Sequence, residues 1–116
     1  VKRNQMEQQQ IQDISFQMVL HAGNAKQLFI ESLREMILGN EDAAAAKYEE
    51  GIVALTKAHE YEAAYMARYA RGEEDQNVDI FLVHANDHLA MALTMQDICN
   101  EFKPLIRTIN QLKQTK

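Results

Sequence analysis

From His84 onward an apolar or histidine side chain returns at every seventh position: His84, Met91, Ile98, Leu105 and Leu112. His88, Met95, Phe102 and Ile109 interleave at the same period, so residues 84–112 carry a heptad-like seam that only a helix holds on one side. Leu82, Ala85, Leu89, Ala92, Leu93 and Cys99 form a second apolar side on the same helix. A helix with two apolar sides needs more cover than one layer of neighbours supplies.

The rest of the chain offers two helices as that cover. Apolar residues recur at Ile11, Ile14, Met18, Ala22, Ala25, Phe29, Leu33 and Met36 in steps of three and four, which predicts a first helix over 11–38, with residues 1–10 expected to fray. Gly39 suits a left-handed C-cap and Asn40 an N-cap, with Glu41 and Asp42 favourable in the first turn that follows. The second helix is expected over 41–71, with Ala45, Tyr48, Ile52, Leu55, His59, Met66 and Tyr69 near one side, ending at Gly72 before the polar turn "EEDQN". The third runs from about Asp79 to Leu112, with a kink or break expected at Pro104, where a backbone donor is missing.

The expected fold is an all-α, antiparallel three-helix bundle in a single domain over residues 1–116. Two helices cover one side of the third; the other would face water as a long apolar patch, so the chain is expected to self-associate through its third helix. Dimer, trimer and tetramer all satisfy that argument.

Composition excludes several function classes. Twelve Lys and Arg against 17 Asp and Glu leave a net charge of -5 with no basic cluster, which disfavours nucleic acid as a partner. The longest apolar runs are of the size of "IFLV", far short of a membrane span, and "VKRNQMEQQQ" lacks the apolar core of a secretory signal. A lone cysteine, Cys99, forms no internal disulfide and reads as a small core residue, so a cytoplasmic location is expected.

His84, Asp87 and His88 stand on the seam where Leu or Ile would pack better. His84 and His88 are one helical turn apart on one face, with Asp87 three residues after His84. Polar core residues satisfied by local hydrogen bonds are one reading. A metal site is another, although no second ligand cluster at matching spacing accompanies it. The third is nucleophilic chemistry, in which an imidazole carries a phosphoryl group while a neighbouring histidine and an amide donate to its oxygens. His21 and His59 read as structural histidines.

"HAGNAK" at 21–26, "GNEDAAAAKYEEG" at the first helix junction, "AHEYEAAYMARYARGEE" ending the second helix and "HANDHLAMAL" opening the third resemble the IIA component of the lactose/cellobiose class of the sugar phosphotransferase system. The resemblance spans residues 13 to about 103, and "HANDHL" fits the family's H-x-Q-D-H-L pattern in five of six places, counting the variable one. Asn86 stands for the usual Gln, Ala90 for a common Met, and Glu62 and Ala63 for frequent Gln and Thr.

The resemblance implies a homotrimer of three-helix subunits with the active histidine at a subunit interface. It implies His84 as phosphoryl acceptor, His88 as neighbour of the phosphoryl group, Asn86 as an amide donor, and Asp87 as ligand of a metal ion near the threefold axis. Three carboxylates crowded at such an axis call for a hard cation, and Mg²⁺, one per trimer, is the expected ion. The implied partners are the phosphocarrier HPr, a cognate IIB component that takes the phosphoryl group on a cysteine, the membrane IIC permease indirectly, and the chain itself. The alternative is a non-enzymatic helical interaction protein whose Asp87 and His88 hold a structural metal.

Overall fold

The protein, seen in a computed structural model that describes residues 5–72 and 79–115 apart from the side chain of Glu7, consists of three long helices. These are α1 (Gln5–Ile37), α2 (Glu41–Ala70) and α3 (Ile80–Gln114). They run up, down and up in a rod of 68 × 19 × 17 Å, so α1 and α3 are parallel to each other and antiparallel to α2. The turn expected at "EEDQN" lies outside the described residues, as do residues 1–4 of the segment expected to fray. Residues 5–10 of that segment are helical, continuing α1 by more than a turn beyond its apolar repeat.

The α1 stripe packs as its periodicity requires: Ile11, Met18, Ala22, Ala25 and Phe29 are fully buried and Met36 nearly so. Gly39 adopts φ +84, and the backbone closes on it with Asn40 N–H donating to the Glu35 carbonyl at 2.8 Å and Gly39 N–H to the Met36 carbonyl at 3.0 Å. This double bond pattern stops α1 and reverses the chain. Asn40 does not cap α2 with its side chain; its amide donates instead to Glu35 Oε2 at 2.9 Å, which ties the turn back to α1. Inside the hairpin, Ser32 Oγ donates to the Ala44 carbonyl at 2.7 Å, satisfying a buried hydroxyl.

The buried face of α2 matches its predicted one only in part: Leu55 is buried and Tyr48 and Ile52 pack against the core as expected, but the face is turned away from the other predicted positions. Ala44, Gly51, Ala54, Leu55, Ala58 and Tyr65 face the core, whereas Ala45, His59, Met66 and Tyr69 are exposed. The cause is Phe29, whose ring takes the place a side chain at Gly51 would occupy: a Cβ there would stand 2.6 Å from Phe29 Cε1. Tyr48 meets the same ring at 5.3 Å between centroids, so α2 is rotated to present its small residues to the α1 aromatic.

On α3, Leu82, Ala85, Leu89, Ala92 and Cys99 are buried against α1 and α2. Burial pushes the Cys99 thiol above its ordinary value, and its Sγ lies 3.7 Å from the Phe29 carbonyl oxygen. Most of the seam is left outside: Met91, Ile98, Phe102, Leu105, Ile109 and Leu112 are exposed, while Met95 is half-buried against the core. Helix α3 passes through Pro104 without a break, since Pro104 is on the outer face, where water can serve the carbonyl its ring leaves without a donor. The far end is held by Asn110, which donates to the Met36 carbonyl at 2.9 Å, and by Arg107 on Glu41 at 2.7 Å.

Candidate functional site

The N-terminus of α3 is built by Asp79, whose Oδ1 accepts from Phe81 N–H at 2.9 Å and Leu82 N–H at 3.2 Å. An aspartate directly before an apolar run is a sequence signal for such a cap. With the first turn fixed, Leu82, Ala85 and Leu89 anchor the helix in the core, and the intervening residues are turned outward in a set order.

His84 and His88 come together as their spacing requires. Their rings meet edge to face with centroids 4.7 Å apart, and the two Nε2 atoms are 3.2 Å apart. At that distance one nitrogen can donate to the other, the tautomers deciding which. His84 is exposed and His88 half-buried. His84 also borders a cavity of about 390 Å³ between α3 and α1, walled by Asp13, Ser15, Phe16 and Val19 of α1 and by Phe81. The histidine is therefore reachable from outside along a largely apolar wall.

Asp87 is exposed on the same outer side of α3 as Met91 and Ile98, a carboxylate set in an apolar strip. Asn86 is half-buried on the other flank and its amide donates to the Leu82 carbonyl at 3.2 Å, so within one chain the amide is held by its own helix. Among the described residues no three His, Cys, Asp or Glu side chains gather closely enough to hold a metal within one chain. His21 stacks on Tyr61 at 6.0 Å and His59 lies 3.8 Å from Glu62, both away from the His84 pair.

The α1 wall was missed in the sequence. Ser15 is 3 % exposed and its Oγ has no hydrogen-bond partner among the described residues, while Phe16 is 65 % exposed. The apolar repeat of α1 ranks both as peripheral, and only the parallel packing of α1 on α3 brings them to His84.

The arrangement matches a known family over most of its length. Residues 13–107 fit the family of PTS system lactose/cellobiose-specific IIA subunits. The chain belongs to this family. The IIA chain is 34% identical to the oligo-beta-mannoside-specific EIIA component of Bacillus subtilis (strain 168), over 85% of its own length and 89% of the relative's. It is 30% identical to the lichenan-specific phosphotransferase enzyme IIA component of the same organism, over 89% of its own length and 93% of that protein. Its fold matches the crystal structure of the cellobiose-specific enzyme IIA from Bacillus anthracis with a TM-score of 0.80 at 28% identity, covering 95% of each chain. Among its described residues no helix of the IIA chain is long and apolar enough to cross a membrane.

Proposed function

We propose that this IIA chain is a cytoplasmic phosphoryl carrier in the uptake of a β-linked disaccharide, with His84 Nε2 as the acceptor atom. The observation that carries the reading is the exposed His84 imidazole with a second Nε2 at 3.2 Å, within the residues 13–107 that match the family. The donor is the phosphohistidine of HPr. The lone pair of His84 Nε2 attacks phosphorus, the donor's N–P bond breaks and its electron pair returns to the donor imidazole. In the second step a cysteine thiolate of the cognate IIB component attacks the same phosphorus, and the electron pair of the breaking N–P bond returns to His84. The membrane IIC permease is served indirectly.

Neither step needs a base that activates water. His88, displaced from its contact with His84 Nε2 by the incoming group, donates Nε2–H to a phosphoryl oxygen. The α1 wall with Phe16 and Val19 limits the approach of water to the N–P bond.

The carrier acts as a homotrimer with α3 toward the threefold axis. The accessible surface of the single chain is 7651 Å², whereas a folded monomer of 13.3 kDa exposes about 6,450 Å². The excess is larger than the roughly 800 Å² that one partner contributes to a standard interface. It includes the exposed seam of α3, which self-association removes from water.

Asp87 is the residue that would hold Mg²⁺. One carboxylate is a poor site by itself, but a threefold axis brings three of them to one level, an oxygen donor set suited to a hard cation. The ion would neutralise charges that otherwise repel inside an apolar contact.

Incubation with phosphoenolpyruvate, enzyme I and HPr tests the reading. An acid-labile phosphoryl group, absent from His84→Gln, is the expected result; an unlabelled wild-type protein overturns it. Sedimentation equilibrium tests the assembly, with three times the 13.3 kDa chain mass expected and a monomer at micromolar concentration excluding it.

A further inference from the structure

Ser15 carries a hydroxyl that its own chain leaves without a use. It is buried on α1, and its Oγ meets no hydrogen-bond partner among the described residues. Hydroxyls elsewhere are satisfied: Ser32, also buried, donates to the Ala44 carbonyl at 2.7 Å, and Thr94 and Thr108 bond back to carbonyls one turn earlier in their own helix. Ser15 makes no such bond to Ile11. A need for a small residue between α1 and α3 would be met better by alanine, which favours the helix and brings no polar atom to bury.

The register of the two helices sets the place of this hydroxyl. Cys99 Sγ lies beside the Phe29 carbonyl, a separation of 70 residues. Carried back by equal steps along two parallel helices, the same separation puts Ser15 level with Ala85, the residue after His84. Ser15 and His84 accordingly line one cavity of about 390 Å³. Its apolar walls, Phe16, Val19 and Phe81, offer no side-chain donor, and Asp13 is exposed with its Oδ1 already accepting from Gln9 Nε2 at 3.0 Å. A carboxylate has no proton to give to an anion.

We infer that Ser15 Oγ is a hydrogen-bond donor to the phosphoryl group on His84, taking an oxygen that His88 does not. The inference rests on His84 as the acceptor proposed above and adds a donor from a second helix. Asn86 does not supply that donor within the chain, because its amide is held on the Leu82 carbonyl at 3.2 Å. The oxygens of one phosphoryl group point in different directions, so a donor on α3 and another on α1 bind different ones. Ser15 breaks no hydrogen bond when χ1 turns to another staggered well, and the cavity beside it gives the hydroxyl and the phosphoryl oxygen room to meet. The new bond satisfies a buried polar atom, so it favours the phosphorylated chain over the free one.

The test compares wild type, Ser15→Ala and Ser32→Ala in mixtures with purified phospho-HPr. Phosphorus NMR reads the ratio of phosphorylated IIA to phosphorylated HPr at equilibrium, and melting temperatures are taken on the unphosphorylated chains. Ser15→Ala is expected to lower the equilibrium constant for phosphorylation about tenfold and to melt higher than wild type, since it removes an orphan hydroxyl and leaves a better helix former. Ser32→Ala removes a satisfied hydroxyl, so it is expected to melt lower and to keep the wild-type equilibrium constant. A role in packing moves melting alone, whereas a role at the phosphoryl group moves the equilibrium. A Ser15→Ala protein with the wild-type equilibrium constant overturns this inference alone, as does one that melts lower, because the hydroxyl would then have a structural partner in the assembly. A wild type that takes no phosphoryl group, or a His84→Gln protein that takes one, overturns the acceptor reading and this inference with it.

Discussion

The Nε2 atoms of His84 and His88 stand 3.2 Å apart on consecutive turns of α3, within hydrogen-bonding distance of each other. A group added to His84 Nε2 must take the place of that contact, and the freed His88 donor is then beside it. His84→Gln is expected to abolish labelling from phospho-HPr. His88→Ala should leave His84 phosphorylatable but slow transfer by about a hundredfold, the usual cost of losing one donor to a developing charge. Rapid-quench measurement of phosphoryl transfer checks both, with His21→Gln and His59→Gln as variants that should transfer normally.

Asp87→Leu is expected to remove bound Mg²⁺ without dissolving the trimer. In the proposed trimer the substitution would delete all three mutually repelling carboxylates at once and extend the exposed Met91 and Ile98 strip, leaving no unpaired charge behind. Metal analysis and sedimentation equilibrium read the two effects separately. Dissociation into monomers would show that the ion holds the copies together, and wild-type melting indifferent to chelation and Mg²⁺ addition would remove Asp87 as a ligand.

Gly51→Ala tests the contact that orients α2. Alanine favours a helix by about 1 kcal/mol, but its Cβ would fall 2.6 Å from Phe29 Cε1 and 2.9 Å from Cδ1, and that ring is fully buried. Overpacking of about 1–3 kcal/mol exceeds the helix gain, so a net loss of roughly 1 kcal/mol in urea denaturation is expected. A more stable Gly51→Ala protein would mean that Phe29 moves freely.

Pro104→Ala should stabilise the protein. It restores one intrahelical hydrogen bond on the exposed face of an unbroken α3, a gain of about 1–3 kcal/mol. Denaturation at equal protein concentration keeps any change in assembly from masquerading as chain stability. No gain would show that the helix already compensates for the missing donor.

Much of this molecule is visible in one dimension because a helix maps sequence spacing directly onto a surface. The α1 stripe from Ile11 to Met36, the stop at Gly39 and the meeting of His84 with His88 all depend on neighbours within a turn or two. The two apolar sides of α3 are equally legible, and they separate as expected into a buried Leu82–Cys99 side and an exposed Met91–Leu112 seam.

What the periodicity of α2 does not contain is its rotation. Ala44 and Ala45 are equivalent by composition, and only the packing across the hairpin, with Ser32 on the Ala44 carbonyl and Phe29 filling the space beside Gly51, buries the first and exposes the second. Asn40 likewise could have capped α2, but Glu35, brought near by the turn, takes its amide. Local spacing by itself determined the three helices and the pairing of the histidines, since those follow from 1.5 Å and 100° per residue, and the short connections between helices determined their directions. The wall of Ser15, Phe16 and Val19 beside His84 was decided only by the parallel packing of α1 on α3, because contacts across nearly seventy residues depend on the shapes of both surfaces and no periodicity within either helix encodes them.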